Sequence, residues 1–546
     1  MMLLLLSCNT GDLPPPPTTT ETEHVDFIEL DAPRLLRRMS LDLIGVLPPV
    51  ADLDAVEADQ TQLADLRDAM LLDERLEDRL VYLLAERWYT RIDEFLAIPT
   101  DYGMSVNDEF AFVQSVGEEP LRLMARIAVE DRPWTDIVTA DHTLVNEILA
   151  DIWPVELSDE SAEPGRWQEA RYTDGRPAVG VLATNGLWWR YTTTNSNHNR
   201  ARAAAITDLL LCYSILDRPV QFSNASTSVT EEDAVAEAIR EDPYCNSCHS
   251  VVEPLAASLF GFWWNPAASA DEITIYHAER EPMGEQYLKV SPAYFGTPMT
   301  GLVELGPLIA ADPRFIRCTA QSMAELLWRR EIVLEDFEQI EDLRTAFDDA
   351  DLRLKPLIRA VTDTDTYRAG GLSEPLDELQ ADQELTLRLL SPDQLASALE
   401  DISGFRWTWN GFDQMVNDTI GYRVMTGGIN GWSVFVAQSD ASLSRALTIR
   451  RLTQGAAQQA VADDLAGGVP SPRLFSHIDL DSRPGDAEFT AELEALRWRL
   501  YASQPDEGEL EEDEALWSQI EADSGPEVAW EMLLWVLLND PRFTTY

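Results

Sequence analysis

The chain has 546 residues, too many for a single hydrophobic core, and its 45% hydrophobic content excludes a wholly disordered protein. Acidic residues number 96 and basic residues 41, a formal net charge of −55, with only two lysines, Lys289 and Lys355. Such a surface repels nucleic-acid phosphates and anionic lipid headgroups, so we expect no nucleic-acid partner.

At the amino end, four leucines are followed by Ser7 and Cys8. Leu-Leu-Ser-Cys after an apolar run is typical of the lipoprotein signal peptidase site, which would leave Cys8 lipidated and the protein anchored in a membrane. Only seven residues precede Cys8, so we expect the start codon upstream; an incidental cysteine is the alternative. The Pro/Thr-rich segment 14–23 predicts an extended tether. Asn9, where inner-membrane lipoproteins carry Asp, favours the outer membrane, facing the periplasm or the cell surface.

Apolar residues at helical spacing run through most of the remaining chain and predict a mainly α fold. The first such segment, 32–49, stops at Pro48–Pro49, and 61–96 continues the pattern through two or three helices. Helices are also predicted over 200–216, over 306–332 with a break near Pro313, and over much of 391–543.

Segments rich in Pro, Gly and Asn interrupt these helices and predict loops. They cover 141–200 and 264–300, the latter with one short strand at 272–278. A further lapse of the helical pattern at 368–379 predicts a linker. The middle of the chain is therefore expected to be richer in loops than its two ends.

Residues 243–254 read PYCNSCHSVVEP and place Cys245, Cys248 and His249 within five positions. Two cysteines separated by two residues and followed at once by histidine are typical of covalent haem attachment. The thiols add to the two vinyl groups of the porphyrin, and the adjacent imidazole reaches the iron from the proximal side. The segment therefore predicts one covalent haem c with His249 as an iron ligand.

Two other uses of these residues fit the sequence less well. A Cys2His zinc site needs a fourth ligand, and no second Cys or His pair at zinc spacing occurs in the chain. A thioredoxin-like redox pair needs a strand before the motif, whereas a short acidic helix starting at Thr230 is predicted there.

Cys212 and Cys318 are the two cysteines that neither lipid nor haem would use. They fall in predicted helices on either side of the haem motif, and haem c is assembled outside the cytoplasm, where disulfides persist. We predict a Cys212–Cys318 disulfide that clamps the haem region. Two buried thiols in helix packing are the alternative.

The distal iron ligand is less well determined. Met299 lies fifty residues after His249 in a Pro/Gly-rich loop, as axial methionines of small c-type cytochromes often do, and is the predicted ligand. Its rivals are Met283, His277 and His198. An iron left open on this side would favour catalysis instead.

Other side chains would have to hold the macrocycle. The apolar segment 250–264 supplies a wall that excludes water, although the same residues would suit a core helix. Arg202, with Arg200 beside it, is predicted to bind the haem propionates, which need bidentate donors. The alternative for these arginines is a surface ion pair.

The chain resembles the planctomycete-type cytochrome c family, large haem c lipoproteins with associated domains of unknown function that also occur in myxobacteria-like bacteria. The resemblance is carried by RRMSLDLIGVLPP (37–49), DRPWTDIVTADHTLVN (131–146), the stretch GVLATNGLWWRYTTTNSNHNRARAAAITDLLLC (180–212), the haem segment, and LIAADPRFIRCTAQSMAELLWRREI (308–332). Arg202, Cys212 and Cys318 fall on family positions, whereas Glu253 and Ala256 depart from its Asp and Gly. The resemblance implies an exported, mainly helical, haem-binding protein and no particular reaction.

We therefore predict a mainly α, multi-domain protein with a loop-rich haem c domain in the middle. Its regions are a lipoprotein signal remnant and tether (1–24), an N-terminal helical domain (25–150), the haem c domain (151–367) and a C-terminal helical domain (368–546).

The predicted function is electron transfer to or from a redox protein partner at the periplasm or cell surface. Two alternatives stay open. One is a haem peroxidase-like enzyme. The other is a binding module of an extracellular polysaccharide-degradation or surface assembly, which would bind an exported partner protein or stack a glycan on Trp188, Trp189, Trp263, Trp264, Trp407 and Trp409.

Overall fold

A computed structural model describes residues 27–158, 165–215, 243–264, 269–372, 387–409, 411–417 and 421–546, with the single residues 239 and 241. These residues form 24 helices and a few small sheets, and about 60% helix confirms the predicted mainly α, multi-domain fold. Cys8 and the predicted tether lie outside the described residues. Within the described part, no helix is both long and apolar enough to cross a membrane.

The helices before the CNSCH segment show how local sequence sets their ends. The Asp31 carboxylate caps α1 by accepting a hydrogen bond from Arg34 N at 3.0 Å, and Pro33 occupies the first turn. This helix ends before the predicted stop at Pro48–Pro49, because Gly45 turns the chain with a φ of 74°. The helices are α1 (Ala32–Leu43), α2 (Val50–Ala58), α3 (Gln62–Met70), α4 (Arg75–Trp88), α5 (Glu109–Val129), α6 (Asp136–Thr139), α7 (Glu147–Ile152), α8 (Asn185–Arg190) and α9 (Arg200–Leu211).

From residue 243 to 368 the described chain alternates helices with loops and one β-hairpin. The break near Pro313 lies where the sequence predicts it, because Pro313 begins a new helix capped by Asp312. The predicted strand at 272–278 is wrong: the chain forms a short helix there, with Ile273 buried and its carbonyl bonded to Trp189 Nε1 at 3.1 Å. The helices are α10 (Pro243–Ala257), α11 (Ala270–Thr274), α12 (Met283–Leu288), α13 (Leu305–Ala310), α14 (Pro313–Trp328), α15 (Phe337–Asp349), α16 (Leu354–Thr362) and α17 (Asp365–Arg368).

The C-terminal region begins with a helix that carries a complete capping box, formed by Ser391 and Gln394 around Pro392. Its longest helices pack side by side, α20 and α22 against α23. The helices are α18 (Pro392–Ser403), α19 (Tyr422–Met425), α20 (Leu443–Asp464), α21 (Ala487–Tyr501), α22 (Glu507–Ser524), α23 (Pro526–Asn539) and α24 (Pro541–Thr544).

The strands are short and antiparallel. β1 (Phe27–Glu29) pairs with β7 (Ala369–Leu372), and β4 (Gln168–Tyr172) lies between β2 (Thr143–Val145) and β3 (Val155–Leu157). The other two sheets are hairpins, β5 (Ala293–Tyr294) with β6 (Thr297–Pro298) and β8 (Thr408–Trp409) with β9 (Phe412–Asp413).

Buried apolar side chains form two cores. The first core draws on residues 30–367 together with Trp498 and Ala502, and the second draws on 390–546 together with Leu41 and Leu47. Residues on both sides of the predicted boundary at 150 contribute to the first core, and the predicted boundary at 367 falls between the two cores.

A buried polar group, which we call the Asp42 cluster (Asp42, Tyr367, Arg388 and Tyr546), joins these cores. Asp42 Oδ1 accepts a hydrogen bond from Tyr546 Oη at 2.6 Å, and Oδ2 accepts one from Tyr367 Oη at 3.0 Å. Arg388 Nη1 lies 3.5 Å from the same Oδ2 and donates to the Leu327 carbonyl at 2.7 Å. A buried carboxylate is tolerated only with such partners, so the cluster fixes α1 to the C-terminal region.

Candidate functional site

The CNSCH segment forms one turn of α10. The i, i+3 and i+4 spacing of Cys245, Cys248 and His249 places the three side chains on the same side of the helix. Both cysteines are half-buried thiols, and the His249 side chain is 30% exposed. A rigid helical turn therefore presents two thiols and an imidazole together, where an external group can reach them.

His249 has a carboxylate partner one turn further along the helix. Its Nδ1 lies 3.3 Å from Glu253 Oε1, and the same oxygen accepts hydrogen bonds from Arg200 Nε at 3.0 Å and Nη2 at 2.6 Å. Burial raises the pKa of the Glu253 carboxyl, but the hydrogen bonds from His249 and Arg200 outweigh it and hold that pKa below its ordinary value. An ionised Glu253 favours the tautomer in which His249 Nδ1–H donates to it and Nε2 keeps its lone pair, the form of histidine that binds metals.

The apolar residues after His249 lie mainly inside the protein. Leu255, Leu259, Phe260 and Phe262 are buried in the first core, and Val252 is 6% exposed. Val252 and Leu255 lie on the inner face of α10, while the two thiols and His249 are only partly buried. Three elements pack against α10: α9, α12 and β5.

Met299 follows the β5–β6 hairpin, and so lies beside an element that packs against α10. Its side chain is 6% exposed, and its backbone N–H donates to the Pro292 carbonyl at 3.0 Å. Its role as distal ligand stays a prediction.

The rival ligands are placed differently. His277 has an oxygen acceptor at each ring nitrogen, Glu279 Oε1 at 3.0 Å from Nδ1 and the Glu272 carbonyl at 2.9 Å from Nε2, which leaves neither nitrogen for iron. His198 stacks on Tyr287 with a ring-centroid distance of 5.2 Å. Tyr287 belongs to α12, the helix that begins at Met283.

Arg202 is committed to the protein interior. It is fully buried, and its guanidinium donates to the carbonyls of Phe262 at 2.7 Å, Tyr191 at 2.8 Å and Trp188 at 3.1 Å. Burial lowers its pKa to about 9. The arginine that faces the His249 side of α10 is Arg200, so the contacts favour Arg200 over Arg202 for any role at a cofactor; a propionate contact by either stays a prediction.

Cys212 and Cys318 form a disulfide with an S–S distance of 2.13 Å and a Cα–Cα distance of 5.2 Å. Cys212 is the residue that ends α9, and Cys318 lies in α14, so the bond ties together two helices of the first core. The two cysteines are 106 positions apart, and the segment between them includes α10 and Met299.

Residues 295–367 match a family described as a protein of unknown function (DUF1585), a domain known from cytochrome c-containing proteins. This segment contains Met299, Cys318, the helices α13 to α16 and most of α17. No curated protein and no solved structure matches the chain. One segment of the chain is thus similar to a domain known from cytochrome c-containing proteins, and the wider family resemblance stays a prediction.

The side chains at the CNSCH turn suit a covalent haem. Two thiols on one helical face and an imidazole with Nδ1 held by a carboxylate are the donor set that haem c uses. Among the described residues, no group of three or more His, Cys, Asp or Glu side chains is arranged to hold a metal ion by itself. The Glu253–Arg200 ion pair was not predicted from the sequence. The i+4 spacing of Glu253 from His249 was a signal for the contact between those two residues.

Proposed function

We propose that this protein is an exported haem c protein that transfers electrons. The arrangement on one turn of α10 carries the proposal: Cys245 and Cys248 beside His249, whose Nδ1 lies 3.3 Å from Glu253 Oε1. The DUF1585 match at 295–367 supports it, because that domain is known from cytochrome c-containing proteins. In this proposal the redox partner is another protein, and a lipid on Cys8 holds the protein at the outer membrane.

Each residue at the turn has a separate task. Cys245 and Cys248 would form the two thioether bonds, and His249 would ligate through Nε2; the bound haem supplies a one-electron iron couple. Glu253 fixes the His249 tautomer and ring orientation, and its negative charge makes the imidazole a stronger electron donor. Arg200 shares the Glu253 carboxylate at 2.6 Å and offsets part of that charge.

Met299 is the distal ligand in this proposal. Its hairpin packs against α10, and a thioether ligand would raise the reduction potential relative to a second histidine. A methionine-ligated iron favours electron transfer over peroxidase chemistry, which needs an open coordination position.

The glycan-binding alternative loses most of its candidate side chains. Trp188, Trp189 and Trp264 are at most 2% exposed and belong to the first core. Trp407 packs on Tyr422 with a centroid distance of 4.5 Å, whereas Trp409 is 50% exposed. Trp409 is thus the one exposed indole among the six tryptophans predicted for this role, which weakens the glycan-binding alternative.

The proposal is tested by expressing the full chain in a host with haem c maturation machinery. We expect intact mass to increase by one haem and the alkaline pyridine spectrum to report two saturated vinyl groups. Changing both Cys245 and Cys248 to Ala should abolish the added mass, while changing Ser247 to Ala, an exposed neighbour on the same turn, should not. An exported, folded protein without added mass would overturn the proposal. A high-spin iron with added mass would replace electron transfer by the peroxidase alternative.

A further inference from the structure

A cavity of about 210 Å³ lies where the first core meets the second. Its walls come from the end of α4, the end of α14 and the connections at 387–389 and 435–439. Junctions between separately packed units are frequent ligand sites, because side chains from both can converge there without filling the space. No residue of the CNSCH turn lines this cavity.

Arg329 lines this cavity with unused hydrogen-bond donors. Its Nη1 donates to Glu86 Oε2 at 2.6 Å, and its Nε and Nη2 have no acceptor in the part of the chain that the structure describes. Burial lowers the pKa of the Arg329 guanidinium, but Glu86 more than offsets it and holds that pKa above its ordinary value, so Arg329 stays charged. The Nε–Nη2 edge of a guanidinium binds a carboxylate through two parallel hydrogen bonds.

Two further arginines add donors to the same walls. Arg87 Nε and Arg388 Nε are buried and have no acceptor among the described residues. A buried N–H group without a partner costs free energy, so water or a ligand oxygen is expected to complete it.

The acidic side chains that line the cavity do not neutralise all of its arginines. Glu86 is already bound by Arg329, and burial raises the pKa of the Glu325 carboxyl. Glu331 is the third acid on the walls, and its residue is exposed to solvent. Four arginines line the cavity, Arg87, Arg329, Arg330 and Arg388, against these three acids, so its lining carries more cationic than acidic side chains.

The rim of the cavity is apolar. Leu387, Phe435 and Val436 line it and are 60%, 42% and 75% exposed. Tyr89 holds Phe435 by an edge-to-face contact with a centroid distance of 5.4 Å. Large apolar side chains are seldom exposed together unless they contact something.

We propose that this cavity binds a small organic acid with one carboxylate and an apolar body. The Nε–Nη2 edge of Arg329 receives the carboxylate, and Leu387, Phe435 and Val436 contact the apolar part. The cavity is separate from the CNSCH turn, so this proposal stands whether or not haem is attached.

The test is calorimetric titration of the full chain with benzoate, with its neutral analogue benzamide, and with acetate, which lacks the apolar body. We expect benzoate to bind with a dissociation constant below about 1 mM and at least about tenfold more tightly than either comparison compound. Benzoate binding equal to that of benzamide, or absent at millimolar concentration, would overturn the proposal.

Two variants locate the binding. Arg329→Gln removes the charged edge and should weaken benzoate binding by at least about tenfold. Val436→Asp places a repelling charge on the solvent-exposed rim and should weaken it as well, and this variant decides the test if Arg329→Gln does not fold. Leu72→Asp, at a residue 78% exposed that does not line the cavity, is the matched control and should bind as the unchanged protein does. Equal affinities in Val436→Asp and Leu72→Asp would place the benzoate elsewhere.

Discussion

The Asp42 cluster and the CNSCH turn both place a carboxylate between an arginine and another donor. They differ in whether a partner of that carboxylate is exposed to solvent. Asp42 is 1% exposed and receives hydrogen bonds from Tyr367 and Tyr546, which are themselves buried. At the CNSCH turn, Glu253 engages only one nitrogen of His249, whose ring is 30% exposed. A carboxylate whose partners are all buried within the chain holds the fold, whereas a cluster that ends in an exposed histidine nitrogen can bind something else.

Removing the carboxylate of the Asp42 cluster should give the largest effect. Asp42→Ala leaves Arg388, Tyr367 and Tyr546 buried without their shared acceptor, and we expect a loss of about 3–5 kcal/mol in the free energy of unfolding. Urea unfolding followed by tryptophan fluorescence measures it. Asp65→Ala, at an exposed acid in α3, is the control and should change little. A similar small change at Asp42 would show that the cluster does not join the cores.

Arg202 and Arg200, both in α9, test the same distinction between a side chain that holds the fold and one at the CNSCH turn. Arg202→Gln leaves the carbonyls of Trp188, Tyr191 and Phe262 without a donor and should cost about 2–4 kcal/mol of unfolding free energy. Arg200→Gln acts at a side chain 23% exposed and should cost about 1 kcal/mol or less. Comparison of the two urea midpoints checks this, and equal losses would contradict the separate roles.

At the CNSCH turn, variants should change the reduction potential more than stability. Glu253→Gln removes a negative charge from the Nδ1 side of His249 and should raise the potential of the haem-loaded protein by tens of millivolts. Arg200→Gln leaves that charge without its partner and should lower the potential. A spectroelectrochemical titration of both variants distinguishes this from a general disturbance, which would move the two potentials in the same direction.

Asp312 should show the smallest effect, and one that depends on pH. It caps α14 by accepting from Arg314 N at 2.9 Å and also accepts from Tyr294 Oη at 2.7 Å. Burial raises the pKa of this carboxyl, but the bonds from Arg314 and Tyr294 hold it below 3.8. Its charge therefore contributes stability that is fully present above pH 3.8 and is lost as pH falls through the lower folded value.

Asp312→Asn keeps a capping side chain and removes only the charge. We expect a cost of about 1 kcal/mol at neutral pH that shrinks towards zero as pH falls below 3.8. Urea midpoints across this range measure it, and a cost independent of pH would assign the effect to geometry rather than charge.

Local features of the chain could be predicted from the sequence because neighbouring residues determine them. The cap at Asp31 and the break at Pro313 depend on backbone groups within a few positions. The helix at Ala270–Thr274 could not be predicted in this way, because its conformation is set by distant partners such as Trp189. The end of α1 was predicted too late, at Pro48–Pro49, because Gly45 was not recognised as the residue whose positive φ ends the helix.

The candidate site likewise has residues that the sequence predicts and residues that it does not. The CNSCH spacing predicts that Cys245, Cys248 and His249 act together; the structure places them on one helical turn, with Glu253 one turn further on the same helix. Arg200, in contrast, is 53 residues from Glu253, and the sequence favoured Arg202 equally or more. Which arginine turns inward depends on how α9 packs against α10, a contact that no local pattern encodes.

The Cys212–Cys318 bond has a further consequence for the integrity of the molecule. A protease that cuts the chain once anywhere between these two residues produces two fragments that remain covalently joined. The fragment with the CNSCH turn could then separate from the rest of the protein only after reduction. Resistance of this region to loss by proteolysis would thus follow from chain connectivity, even where the backbone itself is cleaved.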